Sequence, residues 1–146
     1  MNAKSGWVQV SVCGLLAAVF SMATLSAQAP APAALATVRI PQGVTANGQP
    51  LPAGSYSVRV SSEAVTPVVG QGADAARWVE FVQNGQVRGK ELASVVAPAD
   101  VKAVAKRTPP AEGRGLVHVL RGAEYVRVWV NHDGAQYLVH LSVAPR

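Results

Sequence analysis

The 146-residue chain has little cysteine and little charge, and its apolar blocks are short. Its single cysteine excludes a disulfide framework and every zinc module that is built from several cysteines. Charged residues make up 14% of the chain and the net charge is +5, a modest excess unlike the dense basic surface of a nucleic-acid-binding protein. The length allows one ordinary domain but not two.

Apolar residues are nevertheless abundant. They make up 49% of the chain, a fraction too high for a disordered protein, which lacks the hydrophobic surface needed to offset chain entropy. The composition therefore indicates one small folded domain, and it favours no particular activity.

Residues 1–29 differ from the rest of the chain. Lys4 is their only charged residue, and a block of about 11 mostly apolar residues runs from Val10 to Phe20. The segment ends in the small residues Ser26-Ala27-Gln28-Ala29. A positive start, a short apolar centre and a small-residue exit are typical of a secretory signal peptide. We expect cleavage after Ala27 or a neighbouring small residue.

The apolar block is shorter than the roughly 20 residues that cross a bilayer as a helix. A retained membrane anchor is the alternative, because Trp7 to Leu25 just spans a bilayer if its polar residues are tolerated. Cys13 lacks the small residue immediately before it that a lipoprotein signal requires, so we do not expect lipidation. The predicted localisation is periplasmic or secreted, with membrane contact only through an uncleaved signal segment.

These observations divide the chain into three parts. Residues 1–27 are the predicted signal peptide, residues 28–36 a Pro/Ala-rich linker, and residues 37–146 a β domain. The linker composition favours a flexible or polyproline-like lead into the folded part.

From Thr37 onward the hydrophobic pattern has a period of two residues, which is typical of strands with one buried and one exposed face. The predicted strands cover residues 37–40, 55–61, 77–83, 86–96, 116–120, 124–131 and 136–143. Their large core side chains are expected to come mainly from Trp78, Phe81, Tyr125, Trp129 and Tyr137.

Turn residues separate these strands. Asn47-Gly48, Asn84-Gly85 and Asp133-Gly134 supply the positive φ angles of tight turns. Residues 100–107 fit either one helical turn capped by Asp100 or an irregular edge. No long helix is available to connect parallel strands. We therefore predict an all-β fold, an antiparallel β-sandwich or partly closed barrel of about seven to eight short strands after an N-terminal signal helix.

One segment has a local family resemblance. Residues 47–58, Asn-Gly-Gln-Pro-Leu-Pro-Ala-Gly-Ser-Tyr-Ser-Val, resemble a stretch of small exported bacterial β-sandwich proteins, including transthyretin-like, carboxypeptidase-regulatory-like and uncharacterised periplasmic families. In these families a Leu-Pro-x-Gly-x-Tyr element leads into a core strand. The resemblance implies that Gly54 turns the chain and that Tyr56 enters the core with its hydroxyl at a rim. It transfers no catalytic residue and says little about function.

The chain contains three histidines, His118, His132 and His140. With Asp133 they offer ligands that zinc or copper accepts, and His118 and His140 have the outward parity of their strands. His132 falls at a hairpin tip, however, and no H-x-H or H-x₃-H spacing places two ligands on one element. We therefore predict no metal and no cofactor. A metal-binding or hydrolytic protein that uses these three histidines is the alternative function.

Other catalytic patterns are absent from the sequence. The serines lie in strand-like runs and outside any G-x-S-x-G elbow, and no cysteine follows Cys13. A Ser142–His140–Asp133 triad is compatible with the composition, but residues two apart on one strand are not arranged around a common substrate. The eight acidic residues are scattered singly, without the paired carboxylates of a glycosidase. We predict that the protein is not an enzyme.

Basic residues cluster mildly in the last third of the chain. The cluster contains Lys102, Lys106, Arg107, Arg114, Arg121 and Arg127. One interpretation is a patch that attracts anionic surfaces such as lipid headgroups or acidic polysaccharide. The other is a set of solvated charges that discourages edge-to-edge aggregation. Nucleic acid is not an expected partner of an exported protein.

Tyr125, Arg127 and Trp129 share one face of their predicted strand. The opposite face carries Val126, Val128 and Val130. If the valines are buried, the other face presents an aromatic–cation–aromatic ladder, which is typical of an interface. Burial of both faces in a central strand is the alternative. Burial is the favoured interpretation, and Tyr125, Arg127 and Trp129 are a candidate interaction face. We predict a non-enzymatic binding or structural domain of the bacterial periplasm or envelope, which contacts a protein, a glycan or an envelope component through one sheet face or an end loop.

Overall fold

The computed structural model describes residues 32–104, 107–120 and 122–145. The predicted signal peptide over residues 1–27, with its helix and Cys13, lies outside these ranges, and so do Lys106 and Arg121. In the described part, no helix has the length and apolarity that crossing a bilayer requires.

Strands account for most of the described residues. In chain order they are β1 (Ala34–Ile40), β2 (Val44–Ala46), β3 (Gln49–Leu51), β4 (Gly54–Val60), β5 (Ala76–Gln83), β6 (Gln86–Val96), β7 (Arg114–Val119), β8 (Tyr125–His132) and β9 (Ala135–Val143). A single helical turn, α1 (Val101–Val104), lies between β6 and β7. β1 begins three residues before Thr37, inside the segment whose composition is that of a linker.

All strand pairs are antiparallel and form one sheet. Its order is β1–β4–β5–β6–β9, and from β9 the sheet continues through β8 to β7. The small β2–β3 hairpin pairs with the end of β9. No backbone pairing joins β7 to β1 in the described ranges, although the two strands pack against each other at Gly115 and Val38. The predicted all-β antiparallel fold is confirmed, in the form of a nearly closed barrel.

Alternate residues of each strand fill the barrel interior. Tyr56 and Val58 of β4 face Val79 and Phe81 of β5, and Tyr56 meets Phe81 edge to face with ring centroids 6.3 Å apart. The valines of β8 predicted to be buried are completely so. Burying each such side chain contributes about 1.5–3 kcal/mol to stability, so the period-two pattern fixes which face of every strand turns inward.

The aromatic residues depart from the prediction. Phe81 and Tyr137 pack in the barrel as expected. Trp129 is buried on the outside of the barrel, Trp78 lies on the outside with the ammonium of Lys90 5.1 Å from its ring centroid, and Tyr125 is 48% exposed. The expectation was wrong for Trp78 and Tyr125, whereas Trp129 is buried as expected but in a cluster outside the barrel. All three occupy outward positions of their strands, so the alternation along the strand, and not side-chain size, decides which residues enter the barrel.

The segment that resembles exported sandwich modules contains a second departure. Residues 45–54 were expected to form only turns, but Asn47 and Gly48 close the β2–β3 hairpin. The chain then enters β4, where Tyr56 is 1% exposed and donates its hydroxyl to the carbonyl of Pro52 at 2.7 Å. A buried tyrosine needs such an acceptor for its hydroxyl. The wider family resemblance stays a prediction.

Residues 97–104 and 107–113, together called the covering segment, cross the outside of β8 and β9. Within it the carbonyl of Asp100 accepts the amides of Ala103 and Val104, at 3.0 and 3.1 Å, so the helical alternative is the one adopted over α1. Val101 of α1 packs on Trp129 and Leu138 in a small apolar cluster that is separate from the barrel core. This cluster is a covered patch on the outer surface of the barrel.

Candidate functional site

The outer face of β7, β8 and β9 contains the residues that the sequence singles out. Antiparallel register aligns outward side chains of the three strands in rows that cross the sheet. One row consists of Leu116, Trp129 and Leu138, and the next consists of His118, Arg127 and His140. We call the second row the open row. Beyond it, Tyr125 pairs with Ser142.

Trp129 belongs to the covered part of this face. It is 1% exposed beneath α1, and its indole N–H donates to the side-chain oxygen of Gln136 at 2.6 Å. Gln136 is itself only 4% exposed. Of the three residues predicted as an interaction face, Trp129 therefore does not reach solvent in this structure.

Tyr125 and the open row belong to the uncovered part. Tyr125 and His140 are exposed, whereas His118 and Arg127 are half-buried between their neighbours. The open row also fulfils the expectation that His118 and His140 share one face, and it places the guanidinium of Arg127 between the two imidazoles. We call Tyr125, Ser142 and the open row together the open half of the outer face.

A hydrogen bond fixes the protonation state of His140. The Nε atom of Arg127 donates to Nε2 of His140 at 3.0 Å. Because a guanidinium only donates, Nε2 of His140 must provide a lone pair, and the ring is neutral with its proton on Nδ1. Protonation of His140 would break this bond and place two cations side by side.

The open row carries the positive charge of Arg127. No carboxylate forms a salt bridge with Arg127 among the residues that the structure describes. Burial lowers the pKa of His118 below its ordinary value, and the charges of Arg107 and Arg127 lower it further. Burial and Arg127 lower the pKa of His140 in the same way. Both rings are therefore neutral at neutral pH and gain charge only on acidification.

The third histidine lies elsewhere. His132 is five residues from Arg127 along β8, a separation of about 16 Å, and its Nε2 is 3.4 Å from Oδ2 of Asp133. No group of three or more His, Cys, Asp or Glu side chains is arranged to hold a metal ion in the described ranges. The three histidines predicted for the alternative metal site are thus not brought together.

The Ser142–His140–Asp133 combination is not assembled either. Asp133 is at the β8–β9 turn, seven residues from His140 along an extended strand, which corresponds to about 23 Å. The acid of a catalytic triad must lie within hydrogen-bond reach of its histidine.

A cleft of about 400 Å³ lies under the covering segment, lined among others by Lys102, Arg107, Glu112 and Asn131. Two of these residues hold the segment in place, although Oδ1 of Asn131 is buried without a partner. The Glu112 carboxylate accepts the Asp133 amide at 2.6 Å, and the Asn131 side-chain N–H donates to the carbonyl of Pro110 at 2.9 Å. The cleft therefore looks like a structural junction between the segment and the β8–β9 hairpin.

The predicted basic patch is divided. Lys102 and Arg107 belong to the cleft, Arg114 is exposed at the start of β7, and Arg127 lies in the open row. Lys106 and Arg121, the other two members of the predicted patch, lie outside the described residues. The covering segment thus separates these charges into local groups.

Two features of the site were missed from the sequence. The partner of Trp129, Gln136, had no recognisable signal. The Arg127–His140 pair did have one, because a two-residue turn at Asp133-Gly134 pairs His132 with Ala135 and, counting outward, Arg127 with His140. His118 could not be placed in this way, since the β7–β8 connection is longer and leaves its register open.

Neither a protein-family model nor a curated protein nor a solved structure matches this chain.

Proposed function

We propose that the protein is an exported, non-enzymatic binding domain of the bacterial periplasm or cell envelope, and that its binding surface is the open half of the outer face. The observation that carries the proposal is the open row itself. A guanidinium and two imidazoles lie side by side next to the exposed ring of Tyr125, with no acidic side chain in salt-bridge contact in the described part of the chain.

Binding is favoured over catalysis by the packing of the barrel. Its interior is filled by completely buried side chains such as Val58, Val79 and Phe81, so it offers no chamber for a substrate in the described residues. Enzymes need a nucleophile or acid next to a base inside a sheltered site. The groups of the open half instead point outward from a sheet, where they meet a partner's surface.

Exposed side chains of this type are suited to recognition. Tyrosine and arginine are enriched among residues that contribute strongly to binding, because they combine large contact area with directional hydrogen bonds. Tyr125 and Arg127 lie two residues apart on β8 and point the same way. A partner that covers one necessarily approaches the other.

The proposal is tested by nuclear magnetic resonance of isotope-labelled protein mixed with solubilised cell envelope. The envelope is divided into two samples, and one sample is first digested with protease so that a protein partner is distinguished from a glycan partner. We expect amide signals of residues 125–127 and 140–142 to shift in at least one sample. Tyr125→Ala should weaken the shifts. Val87→Ala is the control and should leave them unchanged, because Val87 lies on β6 but has nearly the same exposed fraction, 47% against 48% for Tyr125.

The two variants form a matched pair because each removes one exposed apolar side chain without touching the barrel core. Absence of shifts with both samples of the envelope would overturn the proposal. So would shifts confined to the outside of β5 and β6 around Trp78, since the contact would then lie on the opposite part of the barrel.

A further inference from the structure

We propose that the open row is a carboxylate-binding site, and that its ligand is an acidic polysaccharide whose uronate carboxyl groups bind Arg127. The inference rests on the proposed function and adds the chemical class of the ligand. It follows from the free donors of Arg127, the size of the open half and the lack of a salt-bridged acid at Arg127 among the described residues.

Arg127 has donors to spare. A guanidinium carries five N–H groups in a planar fork that matches a carboxylate, which it binds through two parallel hydrogen bonds. His140 takes the Nε–H of Arg127, and no other side-chain hydrogen bond uses this guanidinium within the described ranges. The bond to His140 holds the fork in one orientation, so little conformational entropy is lost when an oxyanion binds.

The imidazoles add a charge that depends on pH. The titratable and charged groups facing His118 are Arg107 of the covering segment and Arg127 of β8, and Arg127 also faces His140. Tyr125 is the other titratable neighbour on β8, while β2 and the rest of β9 contain no charged residue. Glu124, next to Tyr125, is exposed and forms no salt bridge with the open row, so a bound carboxylate would be the first negative charge in direct contact with it and would favour a protonated His118.

The size of the open half selects among anionic partners. It spans three strands and two rows, on the order of 10 Å in each direction. A stable protein–protein interface buries about 800 Å² on each partner, far more than this area. A flat bilayer also fits poorly, because it would contact the covering segment, which lies on the outside of the sheet beside the open row, before it reached Arg127. One or two sugar rings fit, with Tyr125 available to pack against a ring.

The test is the affinity of the protein for polygalacturonate fragments, measured by calorimetry on protein purified from the cell compartment where it accumulates. Methyl-esterified fragments of the same length are the matched ligand without the charge. We expect the esterified form to bind at least about tenfold more weakly, as expected for loss of a charge-assisted bidentate pair.

Arg127→Gln should cause a similar loss. Arg114→Gln is the matched control, because it removes the same charge from an exposed position at the start of β7 and should change affinity by less than about twofold. Arg127→Lys keeps the charge but not the fork, so it should also weaken binding. Thermal unfolding of each variant distinguishes loss of binding from loss of fold.

The imidazoles give a second readout. Affinity should rise as the pH falls below the ordinary histidine pKa of about 6.5, because His118 gains a proton while the uronate stays ionised and His140, which accepts the Nε–H of Arg127, stays neutral longer. A His118→Asn/His140→Asn double variant should bind with little dependence on pH over the same range. A pH-dependent rise that persists in the double variant would contradict the assigned role of the open row.

Other outcomes overturn the inference outright. Equal affinity for the esterified and the free fragments would show that the site does not recognise a carboxylate. Equal losses of affinity in Arg127→Gln and Arg114→Gln would indicate unspecific electrostatic attraction. Tighter binding to phosphatidylglycerol vesicles or to poly-aspartate would assign the site to another ligand class. If these results came with envelope-induced shifts at residues 125–127, the proposed function would stand and only the ligand assignment would fall.

Discussion

Trp129 and Gln136 form a buried pair of polar groups outside the barrel. The indole N–H has no access to water at 1% exposure, so its hydrogen bond to Gln136 satisfies both groups. A buried polar group that loses its partner retains the full cost of its desolvation. The pair thus makes the position of α1 depend on one hydrogen bond as well as on apolar contact.

Trp129→Phe is expected to destabilise the protein by about 1–3 kcal/mol, because it leaves the Gln136 oxygen buried without a donor. Urea unfolding at neutral pH measures this change. Combining it with Gln136→Leu should recover part of the loss, since an apolar pair of similar shape leaves no group unsatisfied. A double variant no more stable than Trp129→Phe would show that the hydrogen bond is not the cause.

At the scale of single residues, the sequence predicted well whether a side chain points into or out of the barrel, but it predicted poorly which residues that side chain contacts. The buried valines of β8 and the outward direction of His118 and His140 follow from period two alone. Which outward residues are covered does not, because it depends on where the covering segment crosses the sheet. Trp129 and Tyr125 have the same parity, yet one is buried and the other exposed.

Between elements, the weakest junction of the sheet is the contact of β7 with β1. Their backbones are not paired in the described ranges, and the gap is closed by side chains. Gly115 allows this approach, because a Cβ atom there would lie 2.4 Å from Cγ1 of Val38. Real side chains do not approach so closely, so the glycine determines how near the two strands can pack.

Gly115→Ala should therefore destabilise the protein by about 1–3 kcal/mol through overpacking at this junction. Gly72→Ala is the control, because a Cβ at Gly72 meets no atom within 4 Å and should change stability little. Denaturant midpoints of both variants, and of Gly115→Ala with Val38→Ala, provide the comparison. Failure of the shortened Val38 to relieve the loss would place the strain elsewhere.

The hairpins were predictable because their signals are local. Asn84 and Gly85 adopt φ angles of 52° and 75°, as an Asn-Gly turn requires, and the strands on either side follow. The short β2 and β3 strands were not predicted, since three residues cannot display a period. Their pairing with β9 joins positions far apart in the sequence.

For the molecule as a whole, the lowered pKa of His118 and His140 links stability to pH. Burial and the nearby arginines lower the pKa of both rings below the ordinary value of 6.5 in the folded chain. Below that pH the unfolded chain binds more protons than the folded one, so the free energy of unfolding falls as the solution becomes more acidic. Above pH 6.5 both rings are mostly neutral in the folded and in the unfolded chain, so they no longer make the free energy of unfolding depend on pH.

We therefore expect the free energy of unfolding to decrease as the pH is lowered from about 7 to about 5, a range above the ordinary pKa of most carboxyl groups. The His118→Asn/His140→Asn variant should show a flatter dependence. Urea unfolding at a series of pH values measures both. An unchanged slope in the variant would assign the acid sensitivity to other groups.

Fold class was predictable, whereas closure of the sheet was not. Alternation and the lack of a crossover helix indicate antiparallel strands, and that is what the structure contains. A sandwich and a barrel share these local signals. They differ in which distant strands become neighbours, such as β6 with β9, and such pairings depend on contacts that no window of sequence contains.

β9 has a consequence for the timing of folding. It follows every other described strand along the chain, yet it is the one that bonds to β2, β6 and β8 and so unites the two arcs of the sheet. The earlier strands can form hairpins as they are synthesised, but they have no completed sheet to join until β9 arrives. If the chain is exported as we propose, this order of assembly would delay completion of the sheet until after translocation.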